Sequence, residues 1–507
     1  MNKELKIDSG ILQFIPKGAY YEGKDEQFAA VSRMWSALFS FDRVLFSLLM
    51  ILKGTGFSKG AMSHILLSNP MLPDERALIP SGFTLDYETR IIEYALSKEK
   101  TPRALRNLLM LAGGERFGRV NNARTRKIIL AYIFERDSTS LDYLAVNYKQ
   151  KLATLIRHAL GIQTLNQILN GDKTMYDYWI GRYNSRALPV LLFLFGKPMP
   201  KDQSYQNYPM IGKYQVLQNA AKAGDLETFK ANMGGYPSFP QRTLMGFRNT
   251  YKLDIDRGEI FDKGAMSKRD KLQSATAAKR SGAKTFKVDY TNQDLHDLWK
   301  AYYQKLSIDD SDDLLDISEA ISNQQERIDK IDFGPTAVIA DFSHSMYGSD
   351  TRPLNPIITS LSIISTIQNI KSVSYVGGEY KALGSFGTLF PAGATDIATA
   401  FVKALKDEPE TILIISDGYE NSPKGMFEHA YNHFKKMGMR MNVIHVNPVF
   451  SADAKSGSIR RLAADIEPLP VENYKYLETE FIFRKMIDHR DMVKNLLVKK
   501  YNKLIGA

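Results

Sequence analysis

The sequence changes its pattern after Gly334-Pro335, and this change constrains the fold more than any other feature. Residues 336–340 and 411–415 are short runs of apolar and β-branched side chains without charge, which are typical of buried strands in a parallel sheet. Helical patterns with one apolar face lie between such runs, and the other strands are predicted at 372–376, 383–388 and 441–446. This alternation predicts an α/β domain with a doubly wound, mostly parallel sheet.

Three segments with polar side chains lie in predicted loops, and two of these segments come directly after an apolar strand. Asp341, Ser343 and Ser345 leave the first strand as D-x-S-x-S, Thr395 lies in a loop before a helix, and Asp417 follows the apolar run 411–415. The carboxyl ends of parallel strands share one sheet edge, so these three segments are expected to converge. An Asp/Ser turn explains D-x-S-x-S on its own, but not the other two segments. Hard oxygens without imidazole or thiolate favour Mg²⁺, Mn²⁺ or Ca²⁺ over zinc.

These motifs resemble the von Willebrand factor A (vWA) domain and its metal-ion-dependent adhesion site, over residues 334–470. The resemblance implies that Asp341, Ser343 and Ser345 are first-loop ligands, Thr395 the second-loop hydroxyl and Asp417 the third-loop carboxylate. It implies one divalent cation, Mg²⁺ in the first place with Mn²⁺ or Ca²⁺ as alternatives. One coordination position would stay open to water or to an acidic residue of a partner protein.

The part of the chain before residue 306 has a different, helical pattern. Its predicted helices are mostly 10–16 residues long and are joined by short turns, and 139–160 is predicted as one helix. The clearest start is Thr101-Pro102, and that helix is expected to stop at Gly113-Gly114. Serial short helices predict an all-α domain of HEAT-like or armadillo-like repeats. No strict period is present, so an irregular all-α domain remains the alternative.

The basic charge of the protein is concentrated in the middle of the chain. The net charge is +11, but residues 101–300 hold 32 Lys and Arg against 17 Asp and Glu, while the remainder holds 35 against 39. A basic excess of this kind indicates a polyanionic partner such as nucleic acid, and a solvated surface is the alternative. The candidate RNA contacts are Arg116, Arg119, Arg124, Arg126 and Lys127, and then Lys263, Lys268, Arg269, Lys271, Lys279, Arg280, Lys284 and Lys287. Arg157 and His158 are expected on the surface.

A basic all-helical region followed by a vWA domain resembles the Ro60/TROVE family of RNA-binding proteins. In that family the helical repeats close into a ring, single-stranded RNA ends enter a basic hole and structured RNAs bind the outer surface. The resemblance therefore implies a ribonucleoprotein that holds a partly single-stranded non-coding RNA.

Four segments are predicted along the chain. They are a basic helical domain at 1–305, an acidic helix or linker at 306–333, the vWA domain at 334–470 and C-terminal helices at 471–507 that pack back on the protein. Cysteine is absent, the first residues carry charges and lack the apolar core of a signal peptide, and the apolar runs are far shorter than the ~20 residues of a membrane span. We therefore expect a soluble, cytoplasmic protein without a membrane partner.

The sequence contains none of the common catalytic motifs. It lacks a P-loop, H-E-x-x-H, G-x-S-x-G and a glycine-rich dinucleotide turn, so the chain is expected not to be an enzyme. Two alternatives to an RNA-binding protein remain open. One is a vWA interaction adaptor, for instance the companion of a MoxR-type AAA+ ATPase, and the other is a metal-dependent nuclease.

Overall fold

The structure is a computed structural model that describes residues 24–54, 56–76, 79–80, 83–113, 117–199, 205–350, 352–440, 442–449 and 460–505. The chain divides into two compact units. The helical unit comprises Lys59–Asp289 with Phe46–Ile51 and the residues from Tyr501 onward. The α/β unit comprises Tyr290–Lys500 with Leu52–Ser58 and the residues up to Leu45.

Helices make up most of the described chain before residue 330. They are Lys24–Phe41, Arg43–Leu49, Gly56–Ser68, Pro73–Arg76, Tyr87–Lys98, Thr101–Leu111, Ala123–Phe134, Ser138–Asn147, Lys149–Leu160, Ile162–Leu169, Lys173–Tyr176, Leu188–Leu194, Pro209–Ala223, Leu226–Met233, Gln241–Thr250, Arg257–Lys263, Lys268–Arg280, Leu295–Ser307 and Leu314–Arg327, with a π-helix at Asp177–Gly181. Five more α-helices follow in the described residues, namely Asn355–Ile364, Ile397–Leu405, Met426–Lys436, Leu477–Asp488 and Arg490–Leu504, with 3₁₀-helices at His344–Tyr347 and Tyr474–Tyr476.

The helices of the helical unit begin and end where local chemistry predicts. Thr101–Leu111 has Pro102 in its first turn, where a missing N–H is tolerated, and the chain leaves it through Gly113 at φ +92°. Its buried face includes Leu105 and Leu108, both with no exposed surface. A fully buried leucine contributes about 1.5–3 kcal/mol, so such faces are the main stabilising term of the unit.

The predicted single helix at 139–160 is wrong, because two helices occupy that segment. Ser138–Asn147 ends at Tyr148, whose φ of −129° is outside the helical range, and Lys149–Leu160 begins at once. The side chain of Asp137 caps the first helix by accepting a hydrogen bond from the Ser140 N–H. A one-residue break leaves the apolar periodicity nearly continuous, which is why the sequence pattern does not reveal it.

The core of the α/β unit is a parallel sheet of five strands in the order β4-β1-β7-β8-β9. These strands are β1 (Thr336–Phe342), β4 (Ile370–Gly377), β7 (Thr411–Ile415), β8 (Asn442–Asn447) and β9 (Leu469–Pro470), while β2 (Gly348–Ser349) pairs with β3 (Arg352–Pro353) and β5 (Glu379–Leu383) with β6 (Phe386–Phe390). The chain runs from β1 outward to β4 and then returns to the other side of β1 as β7. The order therefore reverses at β1, which is where open α/β sheets bind ligands. This parallel sheet fits the predicted vWA domain.

Helices cover both faces of this sheet because the side chains of β1 alternate. Ala337 and Ile339 pack with Phe401 of helix Ile397–Leu405 on one face. Phe342 packs on the other face with Ile357 of helix Asn355–Ile364. β1 is consequently buried along its whole length, as the uncharged run 336–340 predicts for most of the strand.

The predicted strand at 383–388 is wrong, because a tight turn interrupts it. Leu383 ends β5, Gly384 adopts a φ of +61° and β6 begins at Phe386, so the segment forms an antiparallel hairpin. The hairpin also contacts helix Leu295–Ser307, where the Tyr303 hydroxyl donates to the Leu389 carbonyl at 2.8 Å.

Helix Leu295–Ser307 therefore lies in the α/β unit, whose longest continuous segment begins at Tyr290. The predicted segment bounds at 305, 333 and 470 remain predictions. The C-terminal helix Leu477–Asp488 also belongs to this unit, where the Thr479 hydroxyl donates to the Lys53 carbonyl at 2.6 Å. Among the described residues, no helix is both long enough and apolar enough to cross a bilayer.

Candidate metal centre and nucleic-acid interface

Asp341 stands at the centre of the polar sheet edge. It is the penultimate residue of β1 and its side chain is fully buried. One carboxylate oxygen accepts a hydrogen bond from the Ser343 N–H at 2.8 Å, and the other accepts one from the Ser416 hydroxyl, also at 2.8 Å. Ser416 directly follows β7, so this contact joins the ends of the two central strands.

Backbone hydrogen bonds bring the second loop against the first and the third. The His344 N–H donates to the Gly393 carbonyl at 3.3 Å, which ties the first loop to the second. The Thr395 N–H donates to the Asn421 side-chain oxygen at 2.8 Å, which ties the second loop to the third. The predicted convergence of the three segments is thus present in the structure.

The end of strand β4 packs closely against the first loop. Gly377 ends β4 with a φ of +68°, and a Cβ atom there would lie 2.7 Å from the Ala392 carbonyl oxygen and 3.0 Å from the Ser343 backbone. Only glycine fits this position without displacing the loop. The position of Ser343 therefore depends on the absence of a side chain at residue 377.

The five predicted metal-site residues lie together at this edge. The Ser343 and Ser345 hydroxyl oxygens are 3.1 Å apart. Ser345 also hydrogen-bonds the Asp417 carboxylate, and the charges of Asp341 and Asp417 interact. Thr395 lies in the second loop, which is hydrogen-bonded to both the first and the third loop. Asp341, Ser343 and Thr395 are buried whereas Ser345 is exposed, so the cluster reaches the surface through Ser345.

Burial disfavours the charged forms of the two carboxylates in the cluster, Asp341 and Asp417. It raises the pKa of Asp341 to about 6, against the lowering effect of its hydrogen bonds from Ser343 and Ser416, and the nearby Asp417 raises it further. Burial also raises the pKa of Asp417, opposed by the Tyr419 N–H, by Ser345 and by the positive charge of Arg460. A divalent cation would reverse both shifts, because it stabilises the charged forms of its neighbours.

The side chains fit a hard divalent cation. All five donors are oxygens, which Mg²⁺ and Ca²⁺ prefer. The Thr395 hydroxyl is buried and has no hydrogen-bond partner within the described ranges, although buried polar groups are nearly always paired. An unpaired buried hydroxyl in a cluster of two carboxylates and two serines is the chemistry expected of a cation ligand.

Thr395→Val should separate stability from metal binding. Valine has the shape of threonine without the unpaired hydroxyl, so in the presence of a chelator we expect unchanged or higher stability, by about 1 kcal/mol. The affinity for Mg²⁺ should fall at least about tenfold, since even the loss of an indirect partner of a metal ligand costs roughly 10- to 100-fold. Thermal unfolding with a chelator and calorimetric titration with Mg²⁺ measure the two effects.

Thr399→Val is the matched control, since Thr399 lies four residues further on with an exposed side chain. It should leave the Mg²⁺ affinity unchanged. A Thr395→Val protein that binds Mg²⁺ as tightly as the unmodified chain would remove Thr395 from the ligand set.

The first basic segment contains arginines that already have structural partners. Arg124 donates to the Glu88 carboxylate at 3.1 Å, and that side chain is only 2% exposed. Arg119 donates through Nε to His158 Nδ1 at 2.9 Å, and Arg126 donates to the Asn121 side chain at 2.9 Å. Lys127 is exposed, and Arg116 lies outside the described residues.

His158 is buried, so its predicted surface position is wrong. Its Nε2 contacts the Val120 carbonyl at 2.8 Å, and burial lowers its pKa. The ring is therefore neutral, with the proton on Nε2, and Nδ1 is left to accept from Arg119. A histidine with partners on both ring nitrogens can be buried without penalty, and periodicity alone does not distinguish it from an exposed one.

The second basic segment is centred on helix Lys268–Arg280, whose only buried residue is Ala278. Lys263 pairs with Glu259 at 2.8 Å and Lys268 with Asp289 at 2.5 Å. The Lys271 ammonium lies 5.9 Å from the centre of the Phe286 ring, and Arg269 is half-buried. The remaining predicted contacts of this segment are exposed, namely Lys279, Arg280, Lys284 and Lys287.

Sequence reasoning missed three features of these sites. Ser416 holds Asp341, and Asn421 holds the Thr395 loop, but the predicted ligand pattern does not include either of them. The third feature is a cluster of aromatic rings and arginines around the π-helix Asp177–Gly181. The run Tyr178-Trp179 with Arg182-Tyr183 is a signal in the sequence that points to it.

Comparisons with known proteins were made at the level of sequence and of structure. No protein-family model matches the chain, and no curated protein does. Among solved structures, the Ro protein (RSR) of Deinococcus radiodurans matches with 12% sequence identity and a TM-score of 0.40, over 86% of this chain and 92% of that chain. At this degree of similarity the match carries no inference, and the fold described above rests on the helices, the strand order and the loops themselves.

Proposed function

We propose that the protein binds RNA through the helical unit. The observation that carries the proposal is the exposed basic surface formed by helix Lys268–Arg280 and the residues up to Lys287. Arg280, Lys284 and Lys287 are exposed, and no ion pair involves their side chains in the part of the chain that the structure describes. Cations without internal partners are available to phosphate groups, and they release counterions from RNA when they bind.

The charge distribution of the whole chain supports the same proposal. The surplus of 15 positive charges in residues 101–300 lies almost entirely within the helical unit, whereas the rest of the chain is slightly acidic. The order of a helical unit and a vWA-like domain agrees with the Ro60/TROVE resemblance. Under this proposal the bound RNA is a non-coding RNA with single-stranded parts, and the protein works in the cytoplasm.

The α/β unit would add a metal site for recognising acidic groups. Asp341, Ser343, Ser345, Thr395 and Asp417 would hold one divalent cation, with Mg²⁺ proposed as the physiological ion. Because Ser345 is exposed, the cation would be reachable from the surface, and its remaining position could take a carboxylate of a partner protein or of this chain. The exposure of Ser345 thus supports a protein-interaction role for the α/β unit in addition to RNA binding. It is the observation that favours the adaptor alternative.

The nuclease alternative gains no support from the geometry. Two-metal nuclease sites need several carboxylates around the cations, and the cluster contributes two. Across the described ranges, no group of three or more His, Cys, Asp or Glu side chains is arranged to hold a metal. We therefore propose a binding protein rather than a hydrolase.

The proposal is tested by titrating full-length protein into labelled single-stranded RNA at several salt concentrations. RNA held by lysines and arginines must dissociate as salt rises, since each phosphate contact with a single strand contributes about 0.7 to the slope of log affinity against log salt.

A further inference from the structure

The aromatic cluster of the helical unit has the composition of a base-stacking site. Tyr178 and Trp179 are neighbours on the π-helix Asp177–Gly181, with ring centres 5.1 Å apart and planes nearly perpendicular at 85°. The Tyr178 side chain is 62% exposed, although tyrosine rings are usually at least half-buried. Ile180, two residues after Tyr178, is fully buried and anchors the π-helix to the core. The fold therefore holds an aromatic ring in solvent on a fixed support.

Arginines surround these rings from two different elements. The Arg182 guanidinium lies 5.8 Å from the centre of the Tyr178 ring, 6.0 Å from Trp179 and 4.7 Å from Tyr183. The Arg126 guanidinium, on helix Ala123–Phe134, lies 6.0 Å from the Trp179 ring. Arg126 is also close enough to the buried His158 to lower its pKa, as is Arg119. Arg126 and Arg182 thus place two positive charges beside the aromatic pair.

Negative charge does not cancel this patch. Asp177 begins the π-helix, and its carboxylate is turned to the Gly181 side, where an added Cβ would lie 3.0 Å from Oδ1. No ion pair of Arg126 or Arg182 with a carboxylate is found within the described ranges. Instead, the Arg182 guanidinium donates to the Tyr183 hydroxyl at 2.9 Å, which orients it beside the rings.

We infer that Tyr178 is a platform on which an unpaired nucleobase of single-stranded RNA stacks, with Arg126 and Arg182 contacting the adjacent phosphates. Exposed aromatic rings interleaved with arginines are the combination that single-stranded nucleic acids require, because bases stack on rings and phosphates pair with guanidinium groups. A base-paired duplex keeps its bases inside the helix and cannot use the ring. This inference rests on the proposed RNA binding and adds a specific preference for unpaired bases.

Tyr178→Ala in the full-length protein tests the inference with two probes, a short oligouridine and a perfectly paired RNA duplex. Loss of one stacking contact should weaken oligouridine binding roughly tenfold. Duplex binding should stay the same, and so should the salt slope for oligouridine, because no phosphate contact is removed. Tyr178→Phe should retain the affinity of the unmodified protein, since phenylalanine keeps the ring.

Tyr143→Ala is the matched control on the same unit. Tyr143 is 46% exposed, and its charged neighbours Arg242 and Asp270 pair with each other at 2.7 Å. It should leave both affinities unchanged. Circular dichroism verifies that each variant is folded.

The outcomes separate this inference from the proposed function. Salt-sensitive RNA binding with equal oligouridine affinity in Tyr178→Ala and the unmodified protein would overturn the stacking site and leave the proposed function standing. Equal losses for oligouridine and duplex would also overturn it, because they would indicate a general loss of the surface. If the unmodified protein bound neither probe, the proposed function itself would fail. If an acidic protein bound the unmodified chain more tightly than Tyr178→Ala and did not displace the RNA, the patch would be a protein-binding surface. That result would contradict the inference.

Discussion

Replacing Arg280, Lys284 and Lys287 together by glutamate should weaken single-stranded RNA binding by about 100-fold at ~0.1 M salt. These side chains are exposed at the end of helix Lys268–Arg280 and in the segment after it. Each phosphate contact with a single strand that is lost removes about 0.7 from the slope of log affinity against log salt, so the slope should fall by roughly 2. Fluorescence anisotropy of a labelled RNA, measured over a series of salt concentrations, gives both quantities.

A triple charge reversal on the α/β unit is the matched control. Lys403, Lys406 and Lys436 are also exposed. Lys403 and Lys436 lie in the last turns of their helices as Arg280 does, so the unfavourable helix-dipole effect, about 0.3–1 kcal/mol for each, is at least as large in the control. This variant changes the net charge by the same amount and should bind RNA within a few-fold of the unmodified protein. Equal losses in both variants would mean that only net charge matters and that the basic surface has no special role.

Asp341→Asn should strongly weaken Mg²⁺ binding while leaving the α/β unit folded. The side-chain oxygen of asparagine can still accept from the Ser343 N–H, and its amide group can donate to the Ser416 hydroxyl, so both 2.8 Å contacts have a replacement. The negative charge is lost, however, and a divalent cation depends on that charge. We expect the affinity to fall by about 100-fold or more, beyond the range seen when an indirect partner of a metal ligand is removed. Isothermal titration calorimetry with Mg²⁺ and with Mn²⁺ measures this directly.

Asp350→Ala provides the comparison for Asp341→Asn. Asp350 is an exposed carboxylate nine residues further along the same loop region, outside the predicted ligand set. Its removal should leave the affinity within a factor of about two, because an isolated exposed charge contributes little in water. An unchanged Mg²⁺ affinity in Asp341→Asn would show that the cation binds elsewhere, and the assignment of the cluster would then be wrong.

The sheet edge was predictable because the strands that form it are short, apolar and free of charge. Residues 336–340 and 411–415 each precede their polar side chains directly, so the sequence places Asp341 and Asp417 at the same edge once the sheet is parallel. Thr395 follows from the same reasoning, because its loop leads into helix Ile397–Leu405. Ser416 and Asn421 were not predictable as supports, since a hydrogen bond between loops depends on backbone geometry that periodicity does not record.

The basic residues were less predictable, because charge alone does not separate a structural cation from a free one. Arg124 and Lys268 look the same in the sequence as Arg280 and Lys287, yet the first two pair with Glu88 and Asp289. Those carboxylates lie 36 and 21 residues away in the chain, so only the fold brings them together. The break at Tyr148 and the turn at Gly384 were missed for a related reason, since one residue with an altered backbone angle barely changes the apolar pattern.

The affinity of the unmodified full-length protein for single-stranded RNA, measured as a function of salt, tests the central claim most directly. If the helical unit binds RNA through its exposed lysines and arginines, binding should be tight at ~50 mM salt and at least about 100-fold weaker at ~200 mM. Absent or salt-independent binding would contradict RNA recognition by the basic surface.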